Sequence, residues 1–178
     1  MNAFLESQRL CLCPITEEYC TPEYLSWLHN KEVNRYLETG IFPLTLPDLT
    51  AFVKSIDRKN SLFFAIVIKE NKKHIGNIKI DQISWIHGRG EYGILIGDTN
   101  EWGKGYAKEA SQLIIDYCFE KLNLRKVTLG VLAENKEAVD LYKKLNFQQE
   151  GYYKEHSFHD GRFMDVIRMA IFKNEKSE

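Results

Sequence analysis

The 178-residue chain is 44% hydrophobic and 28% charged, with a formal net charge of −1. That length suits one domain with a sizeable core, expected over residues 1-173 with a polar tail over 174-178, and is short for two. A near-neutral chain has no overall field to recruit nucleic acid or an anionic membrane, and no apolar stretch approaches the ~18 residues that span a bilayer.

The opening MNAFLESQRL lacks the basic-then-apolar order of a signal peptide, so a cytoplasmic protein is expected. RLCLCPI follows and alternates like a strand. TPEYLSWLHNKEVNRYL, with Thr21 as N-cap and Pro22 at the first helical position, predicts one or two short helices. Leu46 to Arg58 predicts another. LFFAIVI reads as a buried strand, Asn71 to Lys73 as a turn, and HIGNIKIDQISW and GEYGILIG as the next two strands. A long helix is expected from about Lys104 to Leu122, with Ala107, Ala110, Ser111, Ile114, Tyr117 and Cys118 on one face. KVTLGVL is then a strand, and NKEAVDLYKKL a helix with Ala138, Leu141, Tyr142 and Leu145 inward. The remainder predicts a hairpin turning at Asp160-Gly161. The order implies an α+β fold with a mixed sheet. Cys11, Cys13, Cys20 and Cys118 have neither the second close pair nor the histidine spacing of a metal site, and read as reduced, packed thiols in a reducing compartment. No metal is expected.

The stretch NEWGKGYAKEA, Asn100 to Ala110, places Gly103 and Gly105 where a helix should begin. Glycine within a helix costs about 1 kcal/mol relative to alanine, so a compensating role is expected. One is an anionic ligand that needs bare backbone N–H groups at a helix N-terminus. A nucleoside-triphosphate loop is excluded, because Gly97 to Gly103 is one residue too long and Gly105 follows Lys104 where Ser or Thr should stand. A dinucleotide fingerprint is excluded by Lys108 in place of its third glycine and by the meander ahead of the loop.

Trp102-Gly103-Lys104-Gly105-Tyr106-Ala107 resembles instead the pyrophosphate loop of acetyl-CoA-dependent acyltransferases, with Trp102 at the usual Gln/Arg position. Asn135 to Phe147, NKEAVDLYKKLNF, is similar to a second segment of the GNAT superfamily of N-acetyltransferases. Asn135, Ala138, Leu141, Tyr142, Lys144 and Phe147 match, and Asn146 replaces a glycine with a residue that also tolerates the left-handed conformation. Both motifs stand in the family's order, and the loop, YLSWLHNKEVNRYL and EGYYKEHSFHDGRFMDVIRMAI look most like the RimJ/RimL branch.

This resemblance implies a single-domain GNAT fold, a mostly antiparallel sheet of about seven strands with about four helices. It implies direct attack of a primary amine on the acetyl-CoA thioester. A backbone N–H of Leu95 or Ile96 would meet the thioester carbonyl, Trp102 to Ala107 would hold the coenzyme's phosphates, and Asn135 its pantetheine or adenine side, with a helix N-cap as an alternative that can hold together with that role. Tyr142 would protonate the leaving thiolate, a phenol of pKa near ~10 being a reasonable donor; a core tyrosine is its structural alternative. Glu91 is the candidate general base and Asp98 the next, with a solvated charge or a cap as alternative. Lys104 and Lys108 add charge near the phosphates. Trp27, Arg35, Tyr36, His156, His159 and Arg162 are candidates for the acceptor side, with packing or plain exposure as alternatives, and Asp165 would suit a peptide. The implied acceptor is a protein N-terminal α-amine or a small amine such as an amino-sugar nucleotide; a non-catalytic acyl-CoA-binding module is the reading of another class. A monomer or homodimer is expected.

Overall fold

Each apolar run of the sequence becomes a strand or a helix face in the computed structural model, which describes residues 2-173; the polar tail expected over 174-178 lies outside them. The strands are β1 (Leu5–Glu6), β2 (Leu10–Pro14), β3 (Leu62–Ile68), β4 (His74–Ser84), β5 (Arg89–Ile96), β6 (Lys126–Leu132), β7 (Gln148–His159) and β8 (Arg162–Phe172). The helices are α1 (Pro22–His29), α2 (Leu46–Ser55), α3 (Tyr106–Glu120) and α4 (Lys136–Lys144). All eight strands form one sheet in the order β1-β2-β3-β4-β5-β6-β8-β7. Among the described residues only β5 and β6 pair in parallel. The expected α+β domain is present, and the two-residue β1 is the strand beyond the expected seven.

Both sheet faces are covered, which explains why β3 reads as a continuous apolar run and why the alternating Leu and Cys of β2 are all buried. On one face Leu10, Leu12, Phe64 and Ile66 pack against Ala110, Ile114, Ile115 and Cys118 of α3 and Val139 and Tyr142 of α4. On the other, Cys11, Cys13, Ala65 and Val67 pack beneath Val53 of α2. The four cysteines are free, three of them buried.

Caps set the helix limits. The Thr21 hydroxyl accepts the Tyr24 N–H at 3.2 Å, with Pro22 in the first turn. The expected continuation through NKEVNRYL is not made. Asn34 Nδ2 donates to the Leu28 carbonyl at 2.7 Å, and Asn30 Oδ1 accepts the Glu32 N–H at 2.9 Å. Asparagine side chains thus take backbone groups that another turn would need. α3 starts at Tyr106, two residues later than expected, so Gly103 (φ 73°) and Gly105 (φ 81°) lie ahead of it in the left-handed region. The helix-interior penalty is therefore never incurred. Asn146 takes φ 66° just past α4, as the sequence allowed. Asp160 and Gly161 both have positive φ, which a two-residue type I′ hairpin turn requires.

One departure from regular pairing opens the sheet. β5 and β6 pair only at Arg89 to Glu91 with Lys126 to Thr128. Beyond this root β5 stays bonded to β4 as far as Ile96, while β6 follows β8 as far as Leu132. Each strand is held by its outer neighbour, so the two diverge.

Candidate active site

The divergence leaves one edge of β5 unpaired, and ladder alternation says which groups face it. Gly97 N–H donates to the Ile75 carbonyl at 2.9 Å. Backbone groups in an antiparallel ladder alternate sides residue by residue, so Leu95 turns toward β4, and Ile94 and Ile96 toward the opening. Trp102 Nε1–H reaches the Ile96 carbonyl at 2.8 Å, as that orientation requires. Of the expected pair, Ile96 therefore presents its N–H to the opening. Leu95 is corrected: its N–H serves β4, and its side chain packs with Tyr24 and Trp27. Trp102, the unusual residue of its motif, closes off the end of β5.

The loop beyond carries the amides of Gly103 to Lys108. The first α3 amide bonded within the helix is that of Glu109, which donates to Gly105 O at 3.1 Å. The preceding N–H groups cluster at the positive end of a 15-residue helix, where an anionic diphosphate is favoured. Tyr92 and Ser111 share a buried hydrogen bond of 2.6 Å, and Ser111 donates on to the Ala107 carbonyl at 2.6 Å. This chain fixes the first turn of α3 against β5. Lys104 Nζ turns to Glu101 at 2.8 Å, while Lys108 is exposed.

Tyr142 stands beside the mouth of the opening. Its ring meets Tyr92 edge-on at 5.8 Å, one residue past the root of the divergence, and Phe147 at 5.8 Å. Among the described residues its hydroxyl has no hydrogen-bond partner, yet it is not sealed from solvent. Burial pushes the phenol up to about 12, so it stays a proton donor through neutral pH. Asn135 caps α4, its Oδ1 accepting the Ala138 N–H at 3.2 Å; the cap leaves its amide nitrogen unused.

The expected bases are both engaged. Glu91 accepts Arg168 NH1 and NH2 at 2.7 Å each and the Thr128 hydroxyl at 2.6 Å. It therefore ties β5, β6 and β8 together at the root, with three of its roughly four acceptor positions taken. Asp98 is buried, bridged to Lys73 and capping the turn at Asn100, and these partners hold its carboxyl below the usual range against the opposing effect of burial. Glu91→Gln should accordingly reduce stability by about 1.5–3 kcal/mol, the worth of a charged hydrogen bond, while kcat falls less than about tenfold. Paired melting curves and steady-state rates check this. A loss of kcat of more than about a hundredfold at unchanged melting temperature would restore Glu91 as the base.

The acceptor-side candidates separate. Trp27 is 5% exposed and lies so close to Gly97 that a Cβ there would sit 2.1 Å from its ring. It is a core residue, a correction to its expected substrate role. Arg35 is exposed and stacks on Tyr36 at 5.1 Å, and Tyr36 packs on Leu132, Met164 and Val166. The segment after α1 thus reaches across to the far side of the opening. Arg162 forms a bidentate pair with Glu134 at 2.8 and 2.6 Å, so its guanidinium is already occupied. His156 is exposed beside Tyr153, and His159 sits at the hairpin end opposite Arg162. Asp165 accepts the Tyr152 hydroxyl and the Glu155 N–H, which hold it ionised. Arg9, Ser7, Glu109, Thr128 and Arg168 were not foreseen. Their partners lie 37 to 102 positions away, beyond any local pattern.

Among the described residues no group of three or more His, Cys, Asp or Glu gathers to hold a metal, and no helix is long and apolar enough to cross a membrane.

A sheet parted beside a glycine loop at a helix N-terminus, with a tyrosine at the mouth, defines an acyl-coenzyme fold. The acetyltransferase (GNAT) domain model matches residues 9-148, and the chain belongs to that family. Its sequence is 38% identical over 112 residues to uncharacterized N-acetyltransferase p20 of Bacillus licheniformis, covering 63% of this chain and 62% of that one. It is 37% identical over 110 residues to a spermidine N(1)-acetyltransferase of Vibrio cholerae, covering 62% and 63%. The matched stretch spans about three fifths of the length of these relatives. The fold superposes on the Vibrio cholerae spermidine N-acetyltransferase in complex with CoA and spermine with a TM-score of 0.85, at 29% identity, covering 94% of this chain and 97% of that one. These names carry the GNAT assignment and do not single out the RimJ/RimL branch.

Proposed function

We propose that this chain transfers the acetyl group of acetyl-CoA to a primary amine, and that the amine belongs to a small polyamine. The observation that carries the transferase reading is the parted β5–β6 edge. It offers the N–H groups of Ile94 and Ile96 to a thioester carbonyl beside the glycine loop and Tyr142. The amine nitrogen attacks the carbonyl carbon, and the Ile96 N–H supports the oxygen as it gains charge. The carbon–sulfur bond then breaks, and Tyr142 gives its proton to the departing thiolate. With Glu91 and Asp98 both occupied, the amine proton leaves through water.

The polyamine reading rests on the named substrate of the spermidine acetyltransferases. A polyamine presents ammonium groups and a nucleotide sugar presents phosphates, and the Arg162–Glu134 pair favours neither, since each of its charges is taken by the other. The RimJ/RimL resemblance, with a protein N-terminal α-amine as acceptor, is the second arm of the test.

Thiol release from acetyl-CoA, followed with spermidine, spermine, N-terminal peptides and amino-sugar nucleotides, separates the readings. Turnover with polyamines alone is expected. Turnover confined to peptides would replace the acceptor. No release with any amine, despite coenzyme binding, would leave a non-catalytic acyl-CoA module.

A further inference from the structure

We infer that Arg9 is a positioning residue for the coenzyme loop: it holds the Lys104 carbonyl outward and thereby aims the Gly105 N–H at the coenzyme's diphosphate. The inference rests on the acyl-coenzyme reading of the loop. Arg9 stands just before β2, and its guanidinium NH1 donates to the Lys104 carbonyl at 3.0 Å. The Lys104–Gly105 peptide is trans, as are all peptide bonds among the described residues. Across a trans peptide the carbonyl and the next N–H point to opposite sides. Fixing one on the β2 side therefore turns the other away from it, toward the loop's ligand face.

A clamp is needed because of what the sequence puts there. Gly103 and Gly105 flank Lys104, both at positive φ, and glycine has the widest choice of conformations. A Cβ built at Gly103 meets nothing within 4 Å, and one at Gly105 meets only Arg9, at 3.5 Å. Packing at the glycines does not fix this peptide; the Arg9 bond to its carbonyl does.

Arg9 is itself held at three points. Its Nε donates to Glu109 Oε2 at 2.7 Å, its NH2 lies 2.7 Å from the same oxygen as an ion pair, and its backbone N–H donates to Glu109 Oε1 at 2.9 Å. The Ser7 hydroxyl adds a bond to Glu109 Oε1 at 2.7 Å. The guanidinium lies 4.6 Å over the Tyr106 ring, a cation–π contact with the first residue of α3. Glu109 is in that helix's first turn, where a carboxylate is favoured. Backbone, stack and carboxylate thus fix a fork whose remaining arm reaches the loop. Lysine cannot reproduce this, because one ammonium cannot span Glu109 and the Lys104 carbonyl in a planar fork.

The test is calorimetric titration with coenzyme A, which needs no acetyl transfer, alongside acetyl-CoA kinetics. Arg9→Met and Arg9→Lys should each raise the coenzyme Kd by about tenfold or more, the loss expected when a pre-organised loop must be ordered on binding. Acceptor KM should stay within about twofold, because the clamp acts on coenzyme binding alone. Glu109→Gln should give a similar loss, and Arg9→Met with Glu109→Gln little more than either alone, as for two parts of one network. Lys54→Met, which breaks an exposed ion pair with Glu17, is the control and should leave Kd unchanged. A wild-type protein that does not bind coenzyme A would overturn the coenzyme reading itself. A wild type that binds, with folded Arg9→Met binding equally well, would overturn the clamp alone, and so would full rescue by Arg9→Lys.

Discussion

Tyr142→Phe should lower kcat by roughly 10²–10⁴ while leaving coenzyme affinity close to wild type. The substitution removes one hydroxyl that, among the described residues, binds nothing in the protein. The ring contacts with Tyr92 and Phe147 are untouched, so little stability is lost. Burial holds the phenol near 12, which keeps the acid form populated across the whole neutral range. No tyrosine limb should therefore enter the kcat profile below about pH 11. The sign is that of an acid: activity falls only as pH rises through the raised pKa. Steady-state rates against pH, with melting curves for both proteins, decide the matter. A lowered melting temperature with unchanged kcat would make Tyr142 a core tyrosine and nothing more.

What the sequence made legible was whatever lies within one turn or one strand. The Thr21 and Asn135 caps, the apolar run of β3 and the Asp160-Gly161 turn each depend on a few neighbouring residues. The structure agrees with all of them. The glycine loop was also legible, although its reason changed. Gly103 and Gly105 do not burden a helix; they take left-handed conformations ahead of one.

The rest was decided across the sheet. Glu91 has the residue type of a base, and only the strand order β5-β6-β8 puts Arg168 and Thr128 on it. Trp27 has the type of a stacking group, but it shares the inward face of α1 with Tyr24 and Leu28. Its burial follows from Gly97, which lets the backbone approach the ring. Leu95 and Ile96 are alike as residues. Their roles differ because a ladder alternates, and the register with β4 says which N–H is spent. In each case one-dimensional spacing supplied the chemistry, and pairing across the sheet supplied its availability.

Gly105→Val should weaken coenzyme affinity by at least about tenfold, and the loss should have two separable parts. The first is conformational. At φ 81° a β-branched side chain is strained, at a cost of about 1–2 kcal/mol for the left-handed region alone. That part also appears as a lower melting temperature, roughly 2–4 °C per kcal/mol for a domain of this size. The second part is obstruction, since a diphosphate approaching bare amides meets the added atoms. Asparagine separates the two, because it tolerates the left-handed conformation yet still carries a side chain. If the loop needs only its shape, Gly105→Asn keeps both melting temperature and coenzyme Kd. If the phosphates need uncovered backbone, Gly105→Asn melts like wild type and binds coenzyme A at least about tenfold more weakly. The second outcome is expected. A Cβ would meet nothing within 4 Å at Gly103 and only Arg9, at 3.5 Å, at Gly105, so packing gives no reason for glycine at either position. A folded Gly105→Val protein that binds coenzyme A as tightly as wild type would remove this loop from the site.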